Sequence, residues 1–335
     1  MSKNLKTIVI DAMGGDHGPK VTVEAAINAT KNKDLAIILV GDIKKINLEL
    51  DRYEEIDKQL IKVFPSDGVV QEDEHPALAF KSKPKASIFV SAGIVKSGKA
   101  DGFISMGSTG ASIAAATVLF GTHDGVDRGA LGGPIIGFAP KSIIIDLGTN
   151  VDTKPNQLVD FAALGNIMSK KIYNIDNPRI AILSVGSEEG KGNNLVKETS
   201  RLLSNTDLNF TGNIEPNEIP FSKADVILCD GFVGNVVLKL TEGLGEATVE
   251  LIKNQLGESD ESKNLQNALF EKMNTLAAFG GGPLLGVKGL AIVGHGSSDA
   301  NGITNAVETA KFVINTNLIE AQKEELTKVR KQINR

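Results

Sequence analysis

The chain has no tryptophan, two tyrosines and one cysteine in 335 residues, and aromatic residues make up only 4%. So few rings exclude a base-stacking platform for nucleic acid. The lone Cys229 excludes an internal disulfide, and a reduced, cytoplasmic setting fits it. No paired His or Cys spacing suggests zinc, so neither a metal nor another cofactor is expected. Positive charge is not in excess. The 36 Lys and Arg stand against 41 Asp and Glu, a net charge of −5, and offer no basic field to a nucleic-acid backbone. No apolar run approaches the length of a bilayer span. The opening stretch MSKNLKTIVIDAMGG has no long apolar core and no cleavage pattern, so no signal peptide is expected.

What is abundant is glycine, 35 residues in a chain that is 41% hydrophobic. The stretch 225–243, DVILCDGFVGNVVLKLTEG, shows how it is used. A buried strand over 226–229 breaks at Asp230-Gly231, and Gly234-Asn235 lead into a helix that carries Lys239. Such a turn leaves backbone N–H groups free above the strand end. The helix dipole adds partial positive charge, so the place suits an anion. Asp230, Asn235 and Lys239 stand around it. The plainer alternative is a strand-to-helix connection whose glycines serve backbone geometry alone.

The pattern recurs along the chain. A strand over 7–11 runs into Asp11, Gly14, Gly15, Asp16 and His17, and Pro19 opens a helix. A strand over 102–105 precedes GSTGA, with Ser108 and Thr109. One over 142–146 precedes Thr149 and Asn150. One over 179–184 precedes GSEEGKGN, with Lys191 and Asn193, and one over 290–293 precedes GHGSSD, with His295. In a parallel sheet these loops share the carboxyl edge, where ligands of open α/β sheets bind. Lys191, Lys239, Lys288, His295 and Arg128 suit a phosphate or a carboxylate. Thr109, Asn150, Asn193 and Asn235 add neutral hydrogen bonds. The bland role for the acids is to cap helices and bond loop amides.

Strands alternate with helices throughout. The expected fold is a single α/β catalytic domain over residues 1–335, a largely parallel sheet flanked by helices. A small hairpin arm is expected from strands at 135–138 and 142–146, joined around Pro140. Residues 66–76 read as a solvated acidic loop. A segment at about 258–285 is amphipathic, with Leu265, Leu269, Met273 and Leu276 on one stripe and Phe270 beside it. Phe279, Leu284 and Leu285 continue the apolar character through a glycine-rich loop. The nearby acids Glu258, Asp260, Glu261 and Glu271 oppose strong attraction to anionic lipid.

No GxGxxG follows the first strand, and GxxxxGK[ST] and GxSxG are absent. Thiol catalysis is not expected from a cysteine set in an apolar run. What remains is chemistry without a strong protein nucleophile, in which a bound anion itself attacks an acyl group.

The segments IVIDAMGGDHGP, GSTGA, IDLGTNVD, SVGSEEGKGN, FTGNIE, DVILCDGFVGNVVLKLTEG and GGGPLLGVKGLAIVGHGSS resemble, in this order, the bacterial phosphate acyltransferases of phospholipid synthesis, the PlsX family. The likeness covers nearly the whole chain. It departs at Ser108, Gly129, Thr149 and Ser187, where the family usually has Asn, Pro, Ala and Glu.

The resemblance implies conversion of acyl-acyl carrier protein and inorganic phosphate to acyl phosphate and free carrier protein. It implies a fold similar to isocitrate and isopropylmalate dehydrogenases, a homodimer, and a cytoplasmic enzyme held peripherally at the membrane surface. The downstream glycerol-3-phosphate acyltransferase would take the product. On this reading Lys191, Asn235 and His295 carry the chemistry. Phosphate or substrate is bound by Asp11, Gly14, Gly15, Asp16, Ser108, Thr109, Asn150, Asn193, Asp230, Gly231, Gly234 and Lys239. Rival readings are a metal- and NAD-dependent decarboxylating dehydrogenase, which would need NAD for turnover, and a non-enzymatic lipid- or carrier-binding scaffold.

Overall fold

The computed structural model describes residues 5–54, 56–57, 59–257 and 259–333. Glu258 of the amphipathic segment lies outside them. The chain forms two compact units, Met1–Gly125 with Phe279–Ile319, and Val126–Ala278 with Glu320–Arg335. Two of these crossings fall at glycine-rich stretches, 121–133 and 279–286, which the sequence reading takes as loops within one domain.

The first unit opens with β1 (Lys6–Asp11), α1 (Pro19–Thr30), β2 (Leu35–Gly41), α2 (Ile43–Leu50), β3 (Ile61–Pro65), α3 (Pro76–Ser82), α4 (Ser87–Lys96), β4 (Gly102–Ser105) and α5 (Thr109–Phe120). The second unit follows with β5 (Ala130–Gly133), β6 (Ile143–Ile145), α6 (Pro155–Tyr173), β7 (Ile180–Leu183), α7 (Asn194–Leu203), β8 (Phe210–Ile214), β9 (Val226–Leu228), α8 (Gly231–Leu256), α9 (Asp260–Met273) and α10 (Thr275–Ala278). The chain then returns to the first unit with β10 (Gly282–Leu285), β11 (Leu290–Val293) and α11 (Ala300–Thr316). It ends in α12 (Leu318–Gln332), which falls mostly in the second.

In the first unit the strand order is β3-β2-β1-β4-β11-β10, parallel except for β10. Its central strands are largely apolar because both faces are covered by helices. Val9 and Phe103 belong to the same core cluster as Phe89 and Ala92 of α4 and Ala115 of α5. Helices α1 and α11 pack together and against β1, β2 and β4. In the second unit the order is β5-β6-β9-β7-β8, parallel except for β5. Helix α6 lies on β6 and β9, with Leu158, Phe161 and Leu164 buried. Pro155 at its first turn and a Gln157 side chain accepting from the Lys154 N–H at 2.8 Å fix its start. A buried ion pair, Arg330 Nε to Asp160 Oδ1 at 2.8 Å, ties α12 to α6.

Two expectations need correction. The hairpin exists, but its first strand is residues 130–133, not 135–138, and Gly132 and Gly133 pair with Ile145 and Ile144. It is not an arm, because β6 pairs on its other edge with β9. Residues 76–82, at the end of the acidic loop, form α3, started by Pro76. Leu284 and Leu285 do not extend an exposed stripe. They are fully buried in β10, where Pro283 pairs with Ile292 of β11. The strand pairing, invisible in a run of glycines and leucines, decides this.

Candidate active site

In the first unit, β1, β4 and β11 lie side by side, so their carboxyl ends bring three of the expected loops together. Asp11, the last residue of β1, is buried, and Ser105 Oγ donates to its Oδ2 at 2.8 Å. Burial raises the Asp11 carboxyl above the ordinary carboxylate range, against the opposing pull of the Ser105 bond and loop amides. The loops interlock through backbone. The Asp16 N–H donates to the Gly296 carbonyl at 2.8 Å, and a Cβ on Gly14 would come within 2.8 Å of Gly107 N. Gly14 and Gly15 therefore serve close packing of loops.

Ser108 caps α5, its oxygen accepting from the Ala111 N–H at 3.4 Å, while Thr109 beside it is exposed. Asp16 is exposed and does not cap α1, whose N-cap is Gly18. His295 is exposed beyond β11, with Nδ1 2.8 Å from Ser297 Oγ. The Ser297 N–H points at Nδ1 at 3.3 Å, which leaves Nε2 to carry the exchangeable proton.

In the second unit, β6, β9 and β7 are neighbours, and their ends carry the loops at 146–154, 229–230 and 184–193. The organising residue is Asp146, fully buried and absent from the candidates read off the sequence. Its carboxylate accepts from the N–H groups of Leu131 (3.3 Å), Gly148 (3.3 Å), Thr149 (3.1 Å) and Asn150 (2.6 Å), and from Asn150 Nδ2 (2.8 Å). An acid ending a strand before small residues was the available signal. Asn150 gives its other amide hydrogen to the Gly129 carbonyl at 3.0 Å, so its donors serve the loop.

The first turn of α8 packs onto this loop. Gly231 N–H donates to Asn150 O at 2.7 Å, and a Cβ on Gly231 would lie 2.8 Å from the Asn150 backbone. A Cβ on Gly234 would collide with the Asp146 carbonyl oxygen. Both glycines are dictated by close approach. Asp230 caps α8 through Val233 N–H at 2.9 Å, and Asn193 caps α7 through Val196 N–H at 2.9 Å. Asn235 is exposed on α8 against Gly148, and its side-chain amide makes no hydrogen bond with the described residues.

Lys191 is exposed, its stem over Gly186, in a loop closed by Lys191 N–H to Glu188 O at 3.0 Å. Lys239 sits two turns into α8 and pairs with Glu242 at 2.7 Å. It is one helical turn beyond Asn235, not at the helix end. Lys288 and Arg128 are exposed, the former paired with Asp124 at 2.9 Å. Among the described residues no cluster of three or more His, Cys, Asp or Glu side chains is arranged to hold a metal ion.

One open cavity of about 240 Å³ lies in this unit. Asn193 and Asp230 line it, so the N-terminal ends of α7 and α8 meet at its edge with the end of β9. Cys229 lines it too, but burial, with the charges of Asp230 and Asp146, pushes its thiol far above the ordinary range. Thiolate attack from Cys229 is disfavoured on that ground. What the arrangement supplies is amide-rich helix ends for an anion.

Known proteins resemble this chain in sequence and in fold. The sequence matches the family described as Fatty acid synthesis protein over residues 6–321. It is 41% identical over 326 residues to the phosphate acyltransferase of Desulfitobacterium hafniense (strain Y51), covering 95% of this chain and 97% of that protein. It is 42% identical over 315 residues to the phosphate acyltransferase of Aquifex aeolicus (strain VF5), covering 92% and 93%. Among solved structures it is similar to a phosphotransacetylase from Streptococcus pyogenes, with a TM-score of 0.62 at 18% identity over 94% of each chain. A phosphotransacetylase from Staphylococcus aureus gives 0.59 at 17% identity, also over 94% of each chain. These two share the fold, an α/β architecture with a mostly parallel sheet between helices. With a family match through residues 6–321 and relatives at 41–42% identity, the chain belongs to the phosphate acyltransferases and is an acyltransferase.

Proposed function

We propose that the enzyme transfers the acyl group of acyl-acyl carrier protein to inorganic phosphate, giving acyl phosphate and free carrier protein for phospholipid synthesis. The observation that carries this reading is the pair of helix ends, capped by Asn193 and Asp230, that open on one cavity beside a thiol too buried to attack. The nucleophile is then a phosphate oxygen. It forms a C–O bond to the thioester carbonyl carbon while the carbonyl electron pair moves to oxygen. Collapse of that intermediate breaks the C–S bond, and the leaving thiolate takes up a proton. Free N–H groups of the helix ends and the unpartnered Asn235 amide suit the oxyanion. The Lys191 ammonium suits the phosphate charge. His295, with Nε2 free to exchange, is the candidate for passing the proton.

A homodimer is supported by Phe232, Val236, Leu240 and Leu244, which lie four residues apart along α8 and are all exposed in the single chain. Contact with a membrane surface is supported by Leu265 and Phe270 of α9, each more than 40% exposed. No helix among the described residues is long and apolar enough to cross a bilayer, so such contact is peripheral.

The test is release of carrier thiol from a long-chain acyl carrier protein, with and without phosphate and with no NAD present. Phosphate-dependent release is expected. No release with phosphate present, or release that needs NAD, overturns the reading.

A further inference from the structure

We infer that the cavity of the second unit is the subsite for the acyl chain, and that Val196 and Val237 set how much chain it accepts. This rests on the acyl-transfer reading above. The cavity is bounded by the ends of β7 and β9, by Leu158 of α6, and by the facing sides of α7 and α8. Leu158, Ile182, Val196, Val233 and Val237 make its walls apolar. Its volume, about 240 Å³, is several times the ~30 Å³ share of one water. An open space with mainly hydrocarbon walls favours an apolar guest over water. Val185, 83% exposed, stands at its mouth.

A second observation points to a ligand rather than a packing defect. Ser184 lines the same cavity at 8% exposure, and its Oγ is buried without a hydrogen-bond partner. A hydroxyl stranded among hydrocarbon is costly, and a guest with a polar end removes the cost. Gly192 keeps the space around it open. With φ of 100°, it carries no side chain where a Cβ would lie 2.9 Å from Ser184 Oγ and 2.6 Å from Val196 Cγ1. The guest is therefore apolar along its length and polar at one end.

The polar end faces a specific neighbourhood. Asn193 and Asp230 line the rim, and both side chains are already engaged in capping. An amide-bearing carrier arm would find few partners on the walls. A hydrocarbon chain ending in a carbonyl or acyl phosphate matches walls, hydroxyl and helix ends together.

The experiment uses non-reacting ligands, octylphosphonate and ethylphosphonate, titrated calorimetrically into the full-length wild type, Val237→Phe and Val196→Phe. Each buried methylene adds about fourfold in affinity. The wild type is therefore expected to bind the octyl compound at least about 100-fold more tightly than the ethyl compound. Val237→Phe, at a half-buried site on α8, is expected to cut that ratio at least tenfold; Val196→Phe probes the buried side and carries the same expectation. Circular dichroism and melting of each variant separate this from misfolding. If Val196→Phe fails to fold, Val237→Phe decides. An undiminished ratio in folded Val237→Phe overturns the subsite. So does equal binding of the two ligands by the wild type. Thiol release by the wild type with phosphate is scored separately. Turnover with an undiminished ratio refutes the subsite alone, whereas no turnover refutes the acyl-transfer reading itself.

Discussion

The carboxylate of Asp146 holds Asn150 twice, through its backbone N–H at 2.6 Å and its side-chain amide at 2.8 Å. Asn150 in turn accepts the Gly231 N–H through its carbonyl at 2.7 Å, so one buried acid sets the seat of the α8 N-terminus. Replacing Asp146 by Ala strands several buried donors at once. Each costs about 1–3 kcal/mol, so a loss of about 3 kcal/mol or more is expected. Asp146→Asn, which keeps one acceptor oxygen, is expected to lose less. Urea midpoints of the two variants check the order, and an unchanged midpoint for Asp146→Ala would refute it.

Two glycines of α8 are expected to respond in opposite directions. Gly234→Ala drives a methyl group into the Asp146 carbonyl and should destabilise by about 1–3 kcal/mol, as overpacking does. Gly243 lies mid-helix with nothing near its Cβ position, and Gly243→Ala should stabilise by about 0.5–1 kcal/mol. Thermal melts of both, run side by side, distinguish local geometry from a general intolerance of the helix.

Lys191→Ala and Asn235→Ala should each raise the barrier to phosphate-dependent thiol release by about 2–4 kcal/mol with the fold intact. Both side chains are exposed and take no part in core packing, so the melting temperature should barely move. His295→Gln should lower the rate of thiol release by about 100-fold or more. Near wild-type rates in any of the three would exclude that residue from the chemistry.

Asp11 makes the first unit sensitive to pH. Burial raises its folded carboxyl above the unfolded value of 3.8. Its protonated form therefore favours the folded state at low pH, and this contribution is lost as pH climbs from the ordinary carboxylate range through the raised folded value. Asp11→Asn removes the titration. Melting temperatures followed upward in pH from the ordinary carboxylate range should fall more for the wild type than for the variant. Parallel curves would refute the assignment.

Leu265→Glu with Leu269→Glu should abolish liposome flotation while leaving turnover in solution intact. Leu265 is 43% exposed, so the change falls mainly on the surface of α9. Unchanged flotation would remove the membrane role from this helix.

By itself the sequence determined the alternation of strands and helices, because Val and Ile runs such as 290–293 and capped segments such as 155–173 are stabilised by their own periodicity and end residues. It also marked the loops at the strand ends, because an acid or small polar residue beside glycine has few other uses there. It could not show that Asp230, Asn193 and Ser108 each spend an oxygen on a helix cap, since capping depends on where the chain turns. It gave Asp146 no more weight than its neighbours, because the donors that converge on it come from Leu131 as well as from residues 148–150. Only the tertiary structure put Leu284 in a buried strand, left Leu265 exposed on a helix, and opened a cavity between α7 and α8 beside the unpartnered hydroxyl of Ser184. Burial and cavity shape arise from contacts between residues far apart in the chain, and a linear pattern of polarity carries no record of which neighbour will cover which face.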